Sequence, residues 1–150
     1  MKRGEMLERM LSICINAHRG QLDKGAMPYI FHPLKVMHYL ETDDEELQCI
    51  ALGHDLVEDT DCNYEDLLQE GMSVRVVNAI KCLTKQPNQS LDDYKRQVFS
   101  NKDAMLVKLQ DLRHNSDIRR LKKVTDKDTV RIAKYDAFTQ EILTQLKEIS

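Results

Sequence analysis

One histidine and three carboxylates crowd into a single short run, His54-Asp55-Leu56-Val57-Glu58-Asp59. Read as helix, this spacing puts all four on one side and near one another. Three carboxylates that close repel unless something positive sits among them, and a divalent metal is the simplest partner. His54 then offers a nitrogen ligand and Asp55 an oxygen, and sequence neighbours share one ion when a helix end is aimed at it. The alternative is a solvated acidic face beside a partnered core histidine, and a His-Asp pair alone favours that alternative. Two other positions shift the balance. His32 sits in Pro28-Tyr29-Ile30-Phe31-His32-Pro33, where flanking prolines restrict the backbone and fix a side chain's direction. Asp111 and Asn115 are four apart on one face of Val107–Asn115, and an aspartate in an otherwise apolar helix is costly to bury unless paired or metal-bound.

The elements that must carry these residues read as helices throughout. Gly4 to Arg19 places Leu7, Leu11, Cys14 and His18 at three- and four-residue steps, so His18 falls on the apolar face, in a core or supporting role. A loop with Gly25 and Pro28 runs from Gly20 to His32, and Pro33 suits the first position of a second helix. Asp43 or Asp44 caps a third helix, whose face carries Leu47, Ile50, Ala51 and His54. Asn63 starts a short helix that Gly71 ends, and Ser73 opens another with Val77, Ile80 and Leu83. Ser90 to Asp93 resembles a capping box, Asn101 caps the segment to Asn115, and Thr125 starts a long helix ending near Ile149. Lys85–Ser90 is the most loop-like interior stretch. No segment alternates long enough for a strand, so the reading is one all-α domain over residues 1–150.

Composition agrees and narrows the partners. The 150 residues carry 22 Lys+Arg and 25 Asp+Glu, for a formal charge of −3, with 41% hydrophobic content. That is too apolar for a disordered chain and too acidic for one that coats DNA or RNA through bulk positive charge. An anionic ligand held by a few local cations or a metal remains open. No stretch approaches the roughly 20 apolar residues that span a bilayer, and the N-terminus lacks the pattern of a signal peptide. The four cysteines form no C-x-x-C pair, which fits reduced core thiols in a cytoplasmic protein.

In order along the chain, Ala17-His18-Arg19-Gly20-Gln21, Pro28–Pro33, Leu52–Thr60 and Lys108–Asn115 match A-H-x-G-Q, P-Y-I-x-H-P, L-L-H-D-x-V-E-D-T and K-L-A-D-R-L-H-N. Leu83-Thr84-Lys85 resembles a V-T-K helix end from the same set. These strings, spread over about residues 14 to 135, resemble the HD superfamily of metal-dependent phosphohydrolases. Within it they are most similar to the RelA/SpoT-type (p)ppGpp hydrolase branch, which includes small stand-alone alarmone hydrolases. The resemblance implies a single HD-domain helical bundle of seven to eight helices, with metal ligands at His32, His54, Asp55 and Asp111. Two nitrogens and two carboxylates suit Mn²⁺ or a similar divalent ion. Glu58 and Asp59 match the pair that positions a water and handles its proton, for removal of the 3′-pyrophosphate of a ppGpp-like nucleotide. Lys24, Asn115, Arg131 and Tyr135 match substrate-contacting positions, and Arg19, Lys108 and His18 lie in the same strings.

Two departures bear on the substrate. Asp23-Lys24 stands where the family often has Arg-Lys, and an aspartate there would repel phosphates. Leu112-Arg113 stands in place of Arg-Leu, which moves the arginine about 100° around the helix. Two alternatives therefore stay beside the alarmone reading. One is a metal phosphatase for another phosphorylated nucleotide, such as a nucleoside monophosphate or an NADPH-like molecule. The other is a nucleotide-sensing HD module without turnover. The partner in each case is a small phosphorylated nucleotide, with no nucleic acid and no membrane, and oligomeric state is left open.

Overall fold

The computed structural model describes residues 1–150 and contains no strand. The elements are α1 (Glu5–Ala17), α2 (Phe31–Tyr39), α3 (Glu45–Gly53), α4 (Leu56–Asp59), α5 (Tyr64–Gln69), α6 (Val74–Leu83), α7 (Leu91–Phe99), α8 (Lys102–Asn115), a 3₁₀ turn (Ile118–Arg120) and α9 (Asp126–Ile149). Counting α3 and the single turn α4 as one interrupted helix gives eight, the upper end of the expected number. A side-chain oxygen closes most helix starts, since the first backbone N–H groups have no partner inside the helix. Asp44, Ser73, Ser90 and Asn101 each accept from a backbone N–H, while Asn63 and Thr125 form reciprocal capping boxes. Ser90 makes only half of the expected box, because the Asp93 carboxylate pairs with Arg96 instead. No helix is long and apolar enough to cross a membrane.

Two boundaries differ from the sequence reading. Pro33 is the third residue of α2 rather than its first. The missing proline N–H costs nothing there, because the whole first turn lacks intrahelical acceptors. More consequentially, His54 to Asp59 is not one helix. The chain leaves α3 after Gly53, Asp55 takes φ −107° and ψ −1°, and α4 restarts at Leu56. A regular helix would turn Asp55 about 100° away from His54. The break lets two adjacent side chains face one centre.

The core has two parts. The larger gathers Met10 and Cys14 of α1, Val36 of α2, the buried face of α3, Leu56, Leu67 and the α6 residues Val76, Val77, Ala79, Ile80 and Leu83. The smaller consists of Tyr94, Val98, Met105, Leu112, Phe138 and Ile142, from α7, α8 and α9. Helix α8 belongs to both, sending Ala104 and Val107 into the first and Met105 and Leu112 into the second. It is thereby locked in position and rotation, and it is the helix that carries Asp111, His114 and Asn115. Leu112 takes the inward place and Arg113 points outward, its guanidinium 3.7 Å from the centre of the Tyr39 ring.

Only two apolar side chains of the 24-residue α9, Phe138 and Ile142, are fully buried. Ile142→Ala should therefore lower the unfolding free energy by about 2–5 kcal/mol. Urea denaturation should show this together with loss of amide protection concentrated in α9.

Candidate functional site

Four elements converge on one buried cluster. His32 comes from the first turn of α2, His54 from the end of α3, Asp55 from the break and Asp111 from the last turns of α8. One donor atom from each lies within 4.8 Å of all the others. His32 Nε2 is 2.8 Å from Asp111 Oδ1 and 3.7 Å from Asp55 Oδ2. His54 Nε2 is 3.0 Å from Asp55 Oδ2 and 3.3 Å from Asp111 Oδ1. Both histidines are only 2% exposed. Two imidazole nitrogens and two carboxylate oxygens, aimed at one point from four segments, suit a divalent ion of intermediate hardness. The donor set fits the group that the sequence implied.

Neighbouring groups orient these donors. His54 Nδ1 donates to Ala51 O at 2.6 Å, which leaves Nε2 for the cluster. The two oxygens of Asp111 are divided between tasks. Oδ2 accepts from Lys108 Nζ at 2.8 Å, while Oδ1 accepts from Asn115 Nδ2 at 2.9 Å and faces both histidines. The Tyr29 hydroxyl donates to Asp55 Oδ2, and His114 Nδ1 lies 2.8 Å from His32 Nδ1.

Burial alone would raise both aspartate pKa values. For Asp111 the Lys108 charge, then His54, overcome burial and hold the carboxyl well below its ordinary range. For Asp55, burial is outweighed chiefly by the charge and hydrogen bond of His54, leaving a pKa of about 2. His54 is pushed the other way. Burial opposes its charged form, but Asp55 and Asp111 raise it well above the ordinary histidine value. In the metal-free chain a proton on His54 thus serves as the cation that the carboxylates demand.

Glu58 and Asp59 extend the cluster outward. Asp55, Glu58 and Asp59 form a second group of oxygens within 4.8 Å of one another, open to solvent on the Glu58 and Asp59 side. The Lys85 backbone N–H donates to Glu58 Oε1 at 2.7 Å, tying it to the end of α6. Gln21 Nε2 donates to the Asp59 carbonyl at 3.0 Å, and Gln21 Oε1 accepts from His18 Nδ1 at 2.8 Å. The Ala17–Gln21 string is therefore a brace for the end of α4, and His18 is a buried supporting residue. Loss of surrounding water in the acidic recess, then the charges of Asp55 and Glu58, push the Asp59 pKa up to about 6. Glu58 is also raised, by loss of water first and despite its bond to Lys85.

A cavity of about 280 Å³ adjoins the cluster, and Lys24, Asn115, Arg131 and Tyr135 all line it. Tyr29 and Asn115 belong to both, since they line the cavity and hydrogen-bond Asp55 and Asp111. Asp23 is not the free anion that its sequence position suggested. Its Oδ1 accepts from Gly25 N at 2.9 Å and Met27 N at 3.0 Å, and its Oδ2 faces Arg120 at 3.4 Å. Arg120 also donates to His114 O and Asn115 Oδ1, both at 3.1 Å, so a guanidinium reaches the cavity from the 3₁₀ turn. Sequence reasoning passed over Tyr29, Lys85, His114 and Arg120. Tyr29 and His114 stand inside motif strings, but nothing in the string marks a residue as the hydrogen-bond partner of a clustered histidine or carboxylate.

An all-helical domain of HD type, with a buried His/Asp cluster beside a polar cavity, is what fold and site define. In sequence the chain resembles RelA/SpoT-type (p)ppGpp hydrolases. It is 33% identical over 114 residues to guanosine-3′,5′-bis(diphosphate) 3′-pyrophosphohydrolase of Vibrio cholerae, covering 73% of this chain and 16% of that one. It is 30% identical over 122 residues to the bifunctional (p)ppGpp synthase/hydrolase SpoT of Escherichia coli, covering 73% and 17%. The chain thus spans about one-sixth of the length of these curated relatives. A solved structure of a metazoan SpoT orthologue, described as hydrolysing ppGpp and acting in starvation responses, shares the fold at a TM-score of 0.75. That match has 24% identity and covers 97% of this chain and 87% of the other. No protein-family model matches the chain.

Two outcomes follow from this geometry. Divalent-ion uptake near neutral pH should release about one proton, because His54 must give one up to become a ligand. Titration calorimetry in buffers of different ionisation enthalpy should show a buffer-dependent heat, and its absence contradicts the protonated cluster. At Gly25, an added Cβ would lie 2.2 Å from the Arg120 carbonyl oxygen. Gly25→Ala should therefore separate this loop from the 3₁₀ turn, with faster hydrogen exchange at Met27 N and unchanged protection in α6 and α8.

Proposed function

We propose that this chain is a Mn²⁺-dependent phosphohydrolase that removes the 3′-pyrophosphate of a ppGpp-like nucleotide. The observation that carries the reading is the junction of cluster and cavity, where Tyr29 and Asn115 contact Asp55 and Asp111 while lining the space beside them. His32, His54, Asp55 and Asp111 would hold the ion. When bound, it makes a nearby water more acidic and draws charge from phosphoryl oxygens.

The chain's own residues then divide the remaining work. Glu58 is anchored through Oε1, which leaves Oε2 to orient the water. The Asp59 carboxylate accepts no hydrogen bond from the protein, and its raised pKa suits a group that takes up the water's proton as the water oxygen bonds to phosphorus. The bond from phosphorus to the ribose 3′-oxygen breaks, and that oxygen leaves as the 3′-hydroxyl once protonated. Lys24 and Arg131 would meet phosphate, with Arg131 steadied by Asp128 at 2.9 Å. Asn115 and Tyr135 would face the nucleoside. Four unpaired cysteines suit a reducing compartment such as the cytoplasm.

The place of Arg113, against the Tyr39 ring and off the cavity wall, favours a second reading, in which the same machinery acts on another phosphorylated nucleotide. Incubation of the Mn²⁺-loaded protein with ppGpp, a nucleoside monophosphate and NADPH, scored for pyrophosphate against phosphate release, separates the two. Pyrophosphate from ppGpp supports the first, and phosphate from another nucleotide with ppGpp untouched supports the second. Asp55→Ala should lose both Mn²⁺ and activity. Glu58→Ala should keep Mn²⁺ while its rate falls about 10²- to 10⁴-fold. Hydrolysis unchanged in both variants would sink the assignment, and a chain that binds nucleotide without turnover is a sensor.

A further inference from the structure

Resting on the reading of His32 as a metal ligand, we infer that His114 is the positioning residue that sets the His32 tautomer. His32 Nδ1 and His114 Nδ1 are 2.8 Å apart, in rings inclined by only 12°, so one proton lies between them. Which ring owns that proton follows from the other side of His32. Its Nε2 faces Asp111 Oδ1 at 2.8 Å and Asp55 Oδ2 at 3.7 Å, and a nitrogen that ligates a cation must present its lone pair. The proton of a neutral His32 is therefore on Nδ1, and His114 Nδ1 accepts it. His114 accordingly carries its own proton on Nε2.

The surroundings hold His114 to this task. It is 8% exposed, the Tyr39 ring meets it edge-on with centroids 6.0 Å apart, and its carbonyl accepts from Arg120 at 3.1 Å. His54 receives the equivalent orientation from a backbone carbonyl, Ala51 O. His32 stands in the first turn of α2, where no carbonyl of its own helix lies behind it, and takes its acceptor from α8, 82 residues away. Since α8 also bears Asp111, one helix supplies a ligand and aims a second.

The test compares His114→Phe, which keeps a flat ring but removes the acceptor, with His114→Asn, whose carbonyl oxygen takes the place of Nδ1. Mn²⁺ affinity is measured by calorimetry on folded protein, checked by circular dichroism, and imidazole tautomers by long-range ¹H–¹⁵N spectra. Loss of the acceptor should weaken Mn²⁺ binding by about 10- to 100-fold in His114→Phe. His114→Asn should bind within a few-fold of the wild type, and the wild-type spectra should show His114 as the Nε2–H tautomer. Equal loss in both variants, no loss in either, or His114 protonated at Nδ1 overturns the inference while leaving the metal reading intact. A wild-type chain that takes up no Mn²⁺ overturns the metal reading and this inference with it.

Discussion

The Asp111 carboxylate is the interaction on which the rest of the site depends. It is 4% exposed and ionised, and leaving such a buried charge unpaired would cost on the order of several kcal/mol, a large share of a small domain's total stability. The fold answers by surrounding it. Lys108 takes one oxygen from three residues back on the same helix, while His32, His54 and Asn115 gather about the other. The second carboxylate, Asp55, sits beside it and doubles the demand for positive charge. A cluster whose two carboxylates already draw histidine nitrogens and a lysine ammonium to them is preorganised for a cation that both carboxylates share.

Preorganisation of this kind requires rigid supports, and here they are packing features. Helix α8 is gripped by two hydrophobic clusters on different sides, so Asp111 and His114 have little freedom in rotation or height. Helix α3 is buried through Cys49, Ile50, Ala51, Leu52 and Gly53, which delivers His54 to the centre, and the break that follows turns Asp55 back toward it. Around the rim the supports are polar. Gln21 holds the end of α4 and Lys85 N–H holds Glu58, so the two outer carboxylates come from one short turn braced at both ends.

Asp23 shows how tertiary context changes the meaning of a residue. In the sequence it is a negative charge where a nucleotide phosphate would arrive. In the structure one oxygen closes a turn through two backbone N–H groups and the other faces Arg120, so the pair is close to neutral. The cavity carries Lys24, Arg120 and Arg131 on its walls although position 23 is an aspartate. Arg113, by contrast, does not line the cavity but lies against the Tyr39 ring, as expected from its place on the helix.

The sequence by itself determined the helical class, the capping residues and the types of side chain available for metal chemistry. Helix periodicity and polar N-caps are local properties, set within a few residues of chain. The four residues whose donor atoms meet, His32, His54, Asp55 and Asp111, were legible because the motif strings present them in order. The stop after Gly53 was not, since no proline interrupts His54–Asp59 and the local pattern is equally consistent with continued helix. Nor were the pairings of Asp23 with Arg120, Asp55 with Tyr29 or His32 with His114, whose partners lie 97, 26 and 82 residues apart. Which nitrogen of a histidine faces inward, and which charge a buried carboxylate meets, depends on groups brought together only by packing. That is why the tertiary structure alone decided them.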